Sequence, residues 1–263
     1  KLMGVEISLN SLGHRKTISH IELSKKRVKD YRIHIIGSSI ALGWGVDLGY
    51  TFADLLYKSL HTRTNKKNIK VINGGIGNTN TKHHAALFAK KFRKTQPDFL
   101  ILQYFINDAE VIDKKKNPII IKYSNFVALF YQMFKSYSFK GTLFDYYSEL
   151  YKENSEGWIE VKKSVKSIKD ICEENNIKLA VLFIPDFHDL SENNKLKPIY
   201  KKISDEFSIM GLDVINTFDA LSTEFKLNSQ KAWVTKGDPH PNDKAHEIIA
   251  LELIKYFERT LFD

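Results

Sequence analysis

IIGSSIALGWGV, residues 35 to 46, runs from apolar β-branched residues straight into a Gly-Ser-Ser turn. An apolar run of this kind, closed by a glycine turn, reads as a strand buried on both faces, the signature of a parallel sheet. The turn places Ser39 just past the strand end, where a serine can be lifted out as a nucleophile. Alone the segment says little, because Gly and Ser turns follow buried strands in many α/β domains. Its weight comes from three later segments: VINGGIGNTNT (Val71 to Thr81), LQYFINDAE (Leu102 to Glu110) and GDPHPNDKAHEIIA (Gly237 to Ala250).

Four more apolar runs join the first. The strands are expected at Arg32 to Ile36, Ile69 to Ile72, Phe99 to Tyr104, Lys178 to Ile184 and Leu212 to Ile215. Between them, Thr51 to Leu60, Lys82 to Lys94 and Glu156 to Asn175 carry apolar residues at helical spacing. A last helix, capped by Asn242 or Asp243, is expected to run to about Phe257. Strand alternating with helix about five times implies a parallel sheet covered on both faces.

Two regions stand outside this repeat. Residues 1 to 30 hold a candidate strand, Val5 to Leu9, and are expected to pack as an N-terminal arm on a single domain spanning 31 to 263. Asn117 to Tyr151 is dense in Phe and Tyr and reads as one or two inserted helices. Extra core or a self-association surface is the ordinary reading of such a stripe; an apolar lid is the sharper one.

The bulk numbers bound the class. The 263 residues can bury a sizeable core, and 43% hydrophobic with 27% charged residues is ordinary for a water-soluble fold. No run reaches the roughly 18 apolar residues a membrane span needs. The net charge of +9 is spread through the chain, as at Lys66-Lys67, Lys90-Lys91 and Lys114 to Lys116, and no basic-aromatic nucleic-acid motif accompanies it. Cys172 is the single cysteine, so neither an intramolecular disulfide nor a cysteine metal cage can form. The chain starts at Lys1 without an initiator Met, which is compatible with a removed leader and an extracytoplasmic location. Oligomeric state is not legible.

In an open parallel sheet ligands bind beyond the carboxyl ends of the strands, where Ser39, Gly77 and Asn107 all fall. A serine nucleophile needs a base for its proton and donors for the oxyanion. His240, in the last loop before the terminal helix, is the candidate base. The backbone N–H groups of Ser39 and Gly77 and the side-chain amide of Asn107 are candidate oxyanion donors. Asp238 is the nearest carboxylate able to orient His240, with a backbone carbonyl as the alternative. His188 follows a strand end and could approach the site edge. His246 is expected to face out from the last helix or to cap a contact, and His83-His84 lack an evident third metal ligand. Asp108 and Glu110 are expected to fix a loop rather than to act as a glycosidase pair.

Taken together the four segments resemble the SGNH hydrolases, also called GDSL-type esterases and lipases, over about Arg32 to Ile254. The resemblance implies a three-layer α/β/α, flavodoxin-like fold, ester hydrolysis through an acyl-enzyme, and no metal or organic cofactor. By position it implies Ser39 as nucleophile, Gly77 and Asn107 as oxyanion donors, His240 as base and Asp238 as acid. Three departures accompany it: Ser38 where Asp is usual, Phe105 where Gly often stands, and Gly237 at the position, three before the histidine, that usually holds the acid. The substrate expected is a small-molecule or carbohydrate ester with a small, acetyl-like acyl group, because Phe105 would shorten the pocket. An O-acyltransferase using the same residues, or a non-catalytic glycan-binding module, are the rival readings.

Overall fold

The computed structural model describes residues 4–19, 26–63, 68–112 and 142–261. In chain order the elements are β1 (Asp30–Gly37), α1 (Ser39–Leu42), α2 (Phe52–Arg63), β2 (Asn68–Gly75), α3 (Thr81–Thr95), β3 (Phe99–Phe105) and a 3-10 turn (Ile106–Ala109). They continue with α4 (Leu143–Leu150), α5 (Glu156–Glu174), β4 (Lys178–Ile184), α6 (Lys197–Ile209), β5 (Asp213–Asn216) and α7 (Phe218–Phe225). A second 3-10 turn (Ser229–Ala232), the short strands β6 (Trp233–Thr235) and β7 (Asp238–Pro241), and α8 (Asp243–Leu261) complete the chain.

Strands β1 to β5 form one parallel sheet in the order β2-β1-β3-β4-β5. Side chains alternate between its two faces, as the pleat requires. Ile33, Ile35, Phe99, Ile101, Ala180 and Leu182 enter one core with residues of α2 and α8. Ile36, Leu100, Leu102, Tyr104, Val181 and Phe183 enter the other with residues of α3, α5 and α6. The result is a three-layer α/β/α architecture.

Local chemistry sets the helix starts. Asn80 accepts the His83 N–H to cap α3, Ser155 accepts the Trp158 N–H to cap α5, and Asn242 Oδ1 accepts the Ala245 N–H at 3.1 Å at the start of α8. Thr142 and Asp145 form a reciprocal capping box on α4. Helix α8 runs to Leu261 instead of Phe257, since ERTL contains no residue that breaks a helix.

The expected strand at Val5 to Leu9 is not formed. Asn10 Oδ1 takes the N–H groups of Leu12 and His14, turning the chain, and isolated bridges stand in its place, among them Leu9 with Arg15 and Arg15 with Asn73. Arg15 is nonetheless deeply buried. Its Nη1 donates to the carbonyls of Leu42 and Gly43 at 2.8 and 2.7 Å, and its Nη2 to that of Val46 at 2.7 Å. The arm therefore clamps the loop that follows Ser39. Of the insertion at Asn117 to Tyr151, α4 is described, and residues 113–141 lie outside the described residues.

The antiparallel pair β6 and β7 was not foreshadowed by the sequence pattern, because Pro239 and Pro241 argue against a strand. A two-stranded ribbon tolerates them, since their missing N–H groups can point away from the partner.

Candidate active site

The sheet order puts the carboxyl ends of β2, β1 and β3 side by side. Gly37 of β1 is in register with Gly75 of β2, and Ile36 with Leu102 of β3. Ser39, Gly77 and Asn107 each sit two residues past the end of their strand. One sheet edge thus presents all three.

Ser39 is the first residue of the single-turn helix α1, whose N–H has no intrahelical acceptor. The turn closes on Gly43 with φ of 76°, and Gly45 follows at 73°, conformations in which a Cβ is strained. This tight exit brings Trp44 back over the site. Asn73 Nδ2 donates to the Ala41 carbonyl at 2.7 Å and fixes α1 from the β2 side.

Ser39 Oγ lies 2.8 Å from His240 Nε2. On the far side of the ring, His240 Nδ1 lies 2.5 Å from Asp238 Oδ1, which also accepts the His240 backbone N–H at 3.0 Å. The other carboxylate oxygen, Oδ2, accepts the indole N–H of Trp44 at 3.0 Å. Burial disfavours the charge on Asp238, but the bonds from His240 and Trp44 outweigh it and hold the carboxyl below its usual range. With Nδ1–H directed at a carboxylate, Nε2 is left to accept a proton from the serine.

Among the described residues, neither the Gly77 N–H nor the Asn107 side chain is engaged in a hydrogen bond. Both are left open as donors at the sheet edge that carries Ser39. Gly77 is not forced by space, since a Cβ there would meet only Leu42 Cδ2 at 3.8 Å.

No protein-family model and no curated protein sequence matches the chain. Solved structures do. The chain is similar to a protein assigned to the lipolytic G-D-S-L family from Desulfitobacterium hafniense, at 12% identity and a TM-score of 0.53, covering 86% of this chain and 99% of that one. It is also similar to the acetyl xylan esterase AlAXEase, at 15% identity and a TM-score of 0.55, covering 86% and 98%. A third is a two-domain esterase active on acetylated mannans, at 14% identity and a TM-score of 0.53, where the match covers 89% of this chain and 50% of the other.

The fold is that of the SGNH hydrolases.

The departures from the SGNH pattern acquire physical accounts. Ser38, in place of the usual Asp, gives its backbone N–H and its hydroxyl to Gln103 Oε1 at 2.9 and 3.2 Å, so a β3 amide secures the turn. Phe105 is half-buried between the two cores at the end of β3. A Cβ built at Gly237 would meet nothing within 4 Å, so the backbone there faces open space. Asp238 reaches His240 from two residues away because its side chain folds back on the backbone N–H two residues on, an Asx turn.

His246 does not face out. It is fully buried, stacks on Phe52 with ring centroids 5.4 Å apart, and its Nδ1 accepts the Phe52 N–H at the start of α2, so it does cap a contact. Its position on the buried side of α8 follows from Ala245, Ile249 and Leu253 sharing that stripe. His84 is buried beside Thr79 and Asp108, and the described residues contain no group of three side chains placed to hold a metal. Asp108 accepts from Thr81 and is buried at the end of β3, with its carboxyl pushed well up by desolvation. Sequence reasoning missed Trp44, Arg15 and Gln103 as supports of the site. Trp44 carried a signal, an aromatic residue between two glycines five residues after the serine; Arg15, far away in the chain, carried none.

Proposed function

We propose that the protein is a serine ester hydrolase. The observation that carries this reading is the continuous chain from Ser39 Oγ through the His240 ring to Asp238, at 2.8 and 2.5 Å. In the proposed cycle Ser39 Oγ attacks the ester carbonyl while His240 Nε2 takes the hydroxyl proton. The N–H groups of Ser39 and Gly77 and the Asn107 amide stabilise the oxyanion. His240 then gives its proton to the departing alcohol, leaving an acyl group on Ser39. Water enters, His240 removes its proton, and the acid leaves with Ser39 restored.

Esterases of acetylated xylan and mannan among the fold neighbours support a carbohydrate ester as substrate, and Phe105 at the end of β3 supports a small acyl group. The serine–histidine contact favours turnover over a binding module, for which no such alignment is needed. Turnover of p-nitrophenyl acetate and labelling by a fluorophosphonate test the reading. Both are expected in the native protein and absent in Ser39→Ala; turnover surviving in that variant, or a native protein inert to both reagents, overturns it.

A further inference from the structure

The Asp-x-His arrangement of the proposed site occurs twice. Asp186 and His188, just past the end of β4, repeat the geometry of Asp238 and His240. Asp186 Oδ1 accepts the His188 backbone N–H at 2.8 Å and lies 2.8 Å from its Nδ1. The carboxylate is buried, with 4% of its side chain exposed, whereas the imidazole is 36% exposed. Among the described residues nothing bonds to His188 Nε2, so no serine, threonine or cysteine is hydrogen-bonded to it. The ring is therefore aimed by a carboxylate, with its outer nitrogen presented and no nucleophile to serve.

Its position relates it to the proposed reaction. Trp233 of β6 pairs with Pro241 of β7, the residue after His240. The same indole donates its N–H to the Phe187 carbonyl at 2.8 Å and meets the His188 ring edge-on at 5.5 Å. Leu190 N–H is tied in turn to Ser229 Oγ at 2.8 Å. The loop carrying His188 is thus pinned to the strap carrying His240. Since His240 must protonate the departing alcohol, the alcohol portion of an ester lies on the His240 side, and Trp233 and His188 continue that side over β4.

Resting on the esterase reading, we propose that His188 is a substrate-binding residue for the alcohol portion, its Nε2 hydrogen-bonding a hydroxyl of a sugar that carries the ester, beside the rigidly held indole of Trp233. Burial lowers the imidazole's basicity, but the contact with Asp186 outweighs it and raises the pKa, which favours an Nε2–H donor toward a sugar oxygen. A half-buried aromatic ring next to a fixed polar group is the combination that orients small polar ligands.

The test compares kcat/KM for an acetylated xylo-oligosaccharide with that for p-nitrophenyl acetate, which has no sugar. His188→Asn keeps a donor for Asp186 but lacks Nε2, and the ratio is expected to fall at least tenfold, through KM of the oligosaccharide. His188→Gln, whose amide reaches the Nε2 position, is expected to recover part of the ratio. An unchanged ratio in His188→Asn overturns the proposal. Calorimetric titration of Ser39→Ala with the same oligosaccharide separates this from the esterase reading, since binding needs no turnover. At least tenfold weaker binding after adding His188→Asn supports the sugar contact even in a protein inert to both esters; equal binding, or none by Ser39→Ala, overturns it.

Discussion

Trp44 and Asp238, 194 residues apart in the chain, are joined by a 3.0 Å hydrogen bond from the indole N–H to the carboxylate Oδ2. The rings of Trp44 and His240 also lie 5.6 Å apart. Trp44 thus fixes the oxygen of Asp238 that His240 does not use, and the carboxylate cannot rotate without losing one partner.

Trp44→Phe keeps the ring and removes the donor. Loss of a hydrogen bond to a charged group is worth about 1.5–3 kcal/mol, and the expected effect is a fall in kcat of about tenfold or more with KM little changed. One of the bonds that hold Asp238 down is lost, so its pKa rises. Steady-state kinetics checks the first and NMR titration of the Asp238 carboxyl the second; a carboxyl pKa that stays in place shows that Trp44 does not tune the carboxylate.

Arg15→Ala removes three hydrogen bonds to the carbonyls of Leu42, Gly43 and Val46; among the described residues the Gly43 carbonyl keeps the Val46 N–H, and those of Leu42 and Val46 are left without a partner. A stability loss of about 2–4 kcal/mol is expected, read by urea unfolding. A fall in kcat measured well below the unfolding midpoint should accompany it, because the clamped loop begins at Ser39 and carries Trp44. Arg15→Lys, which cannot span all three carbonyls, should fall between the two.

The proposed oxyanion donors separate by substitution. Asn107→Ala deletes a side-chain donor and should lower kcat by about 10²–10³ with the fold retained. Gly77→Ala retains its backbone N–H, and the new methyl meets nothing closer than 3.8 Å, so activity should stay within a fewfold of the native value. Gly75→Ala behaves differently. Its Cβ would lie 2.5 Å from the Ala41 carbonyl carbon and still closer to the Leu42 backbone nitrogen, so the helix bearing Ser39 must move and both stability and turnover should collapse. Thermal melts alongside kinetics distinguish the three outcomes.

Buried histidines make stability pH-dependent. Burial lowers His14 to about 4, His84 to about 3 and His246 to about 3, and holds His34 well below its ordinary value. In the unfolded chain each takes up a proton near pH 6.5; in the folded protein each resists it. Unfolding free energy is therefore fully present above pH 6.5 and falls as pH drops toward 4, by about 1.4 kcal/mol per pH unit for each histidine. His246→Asn, whose Oδ1 can still accept the Phe52 N–H, removes one such group. Its loss between pH 7.5 and 5 should be smaller than that of the native protein by about 2 kcal/mol, measured by urea unfolding at both pH values; an equal loss would place the titration elsewhere.

The five strands were legible because burial on both faces leaves short runs of apolar, largely β-branched residues closed by turns, and β4 at Lys178–Ile184 coincides with the expected range. Ser39 and His240 were legible because a strand-end turn and a loop before a terminal helix restrict which residues can meet at one sheet edge. The acid was open between Asp238 and a backbone carbonyl, since the usual position holds Gly237. Only the tertiary structure shows which group stands against His240 Nδ1, because a carboxylate's aim depends on an Asx turn and on a Trp44 donor brought from 194 residues away. The same holds for Arg15 and for His188, whose contacts join distant segments. Periodicity records which side of an element is buried; it holds no record of which buried polar groups face one another, and that pairing is settled when the layers pack.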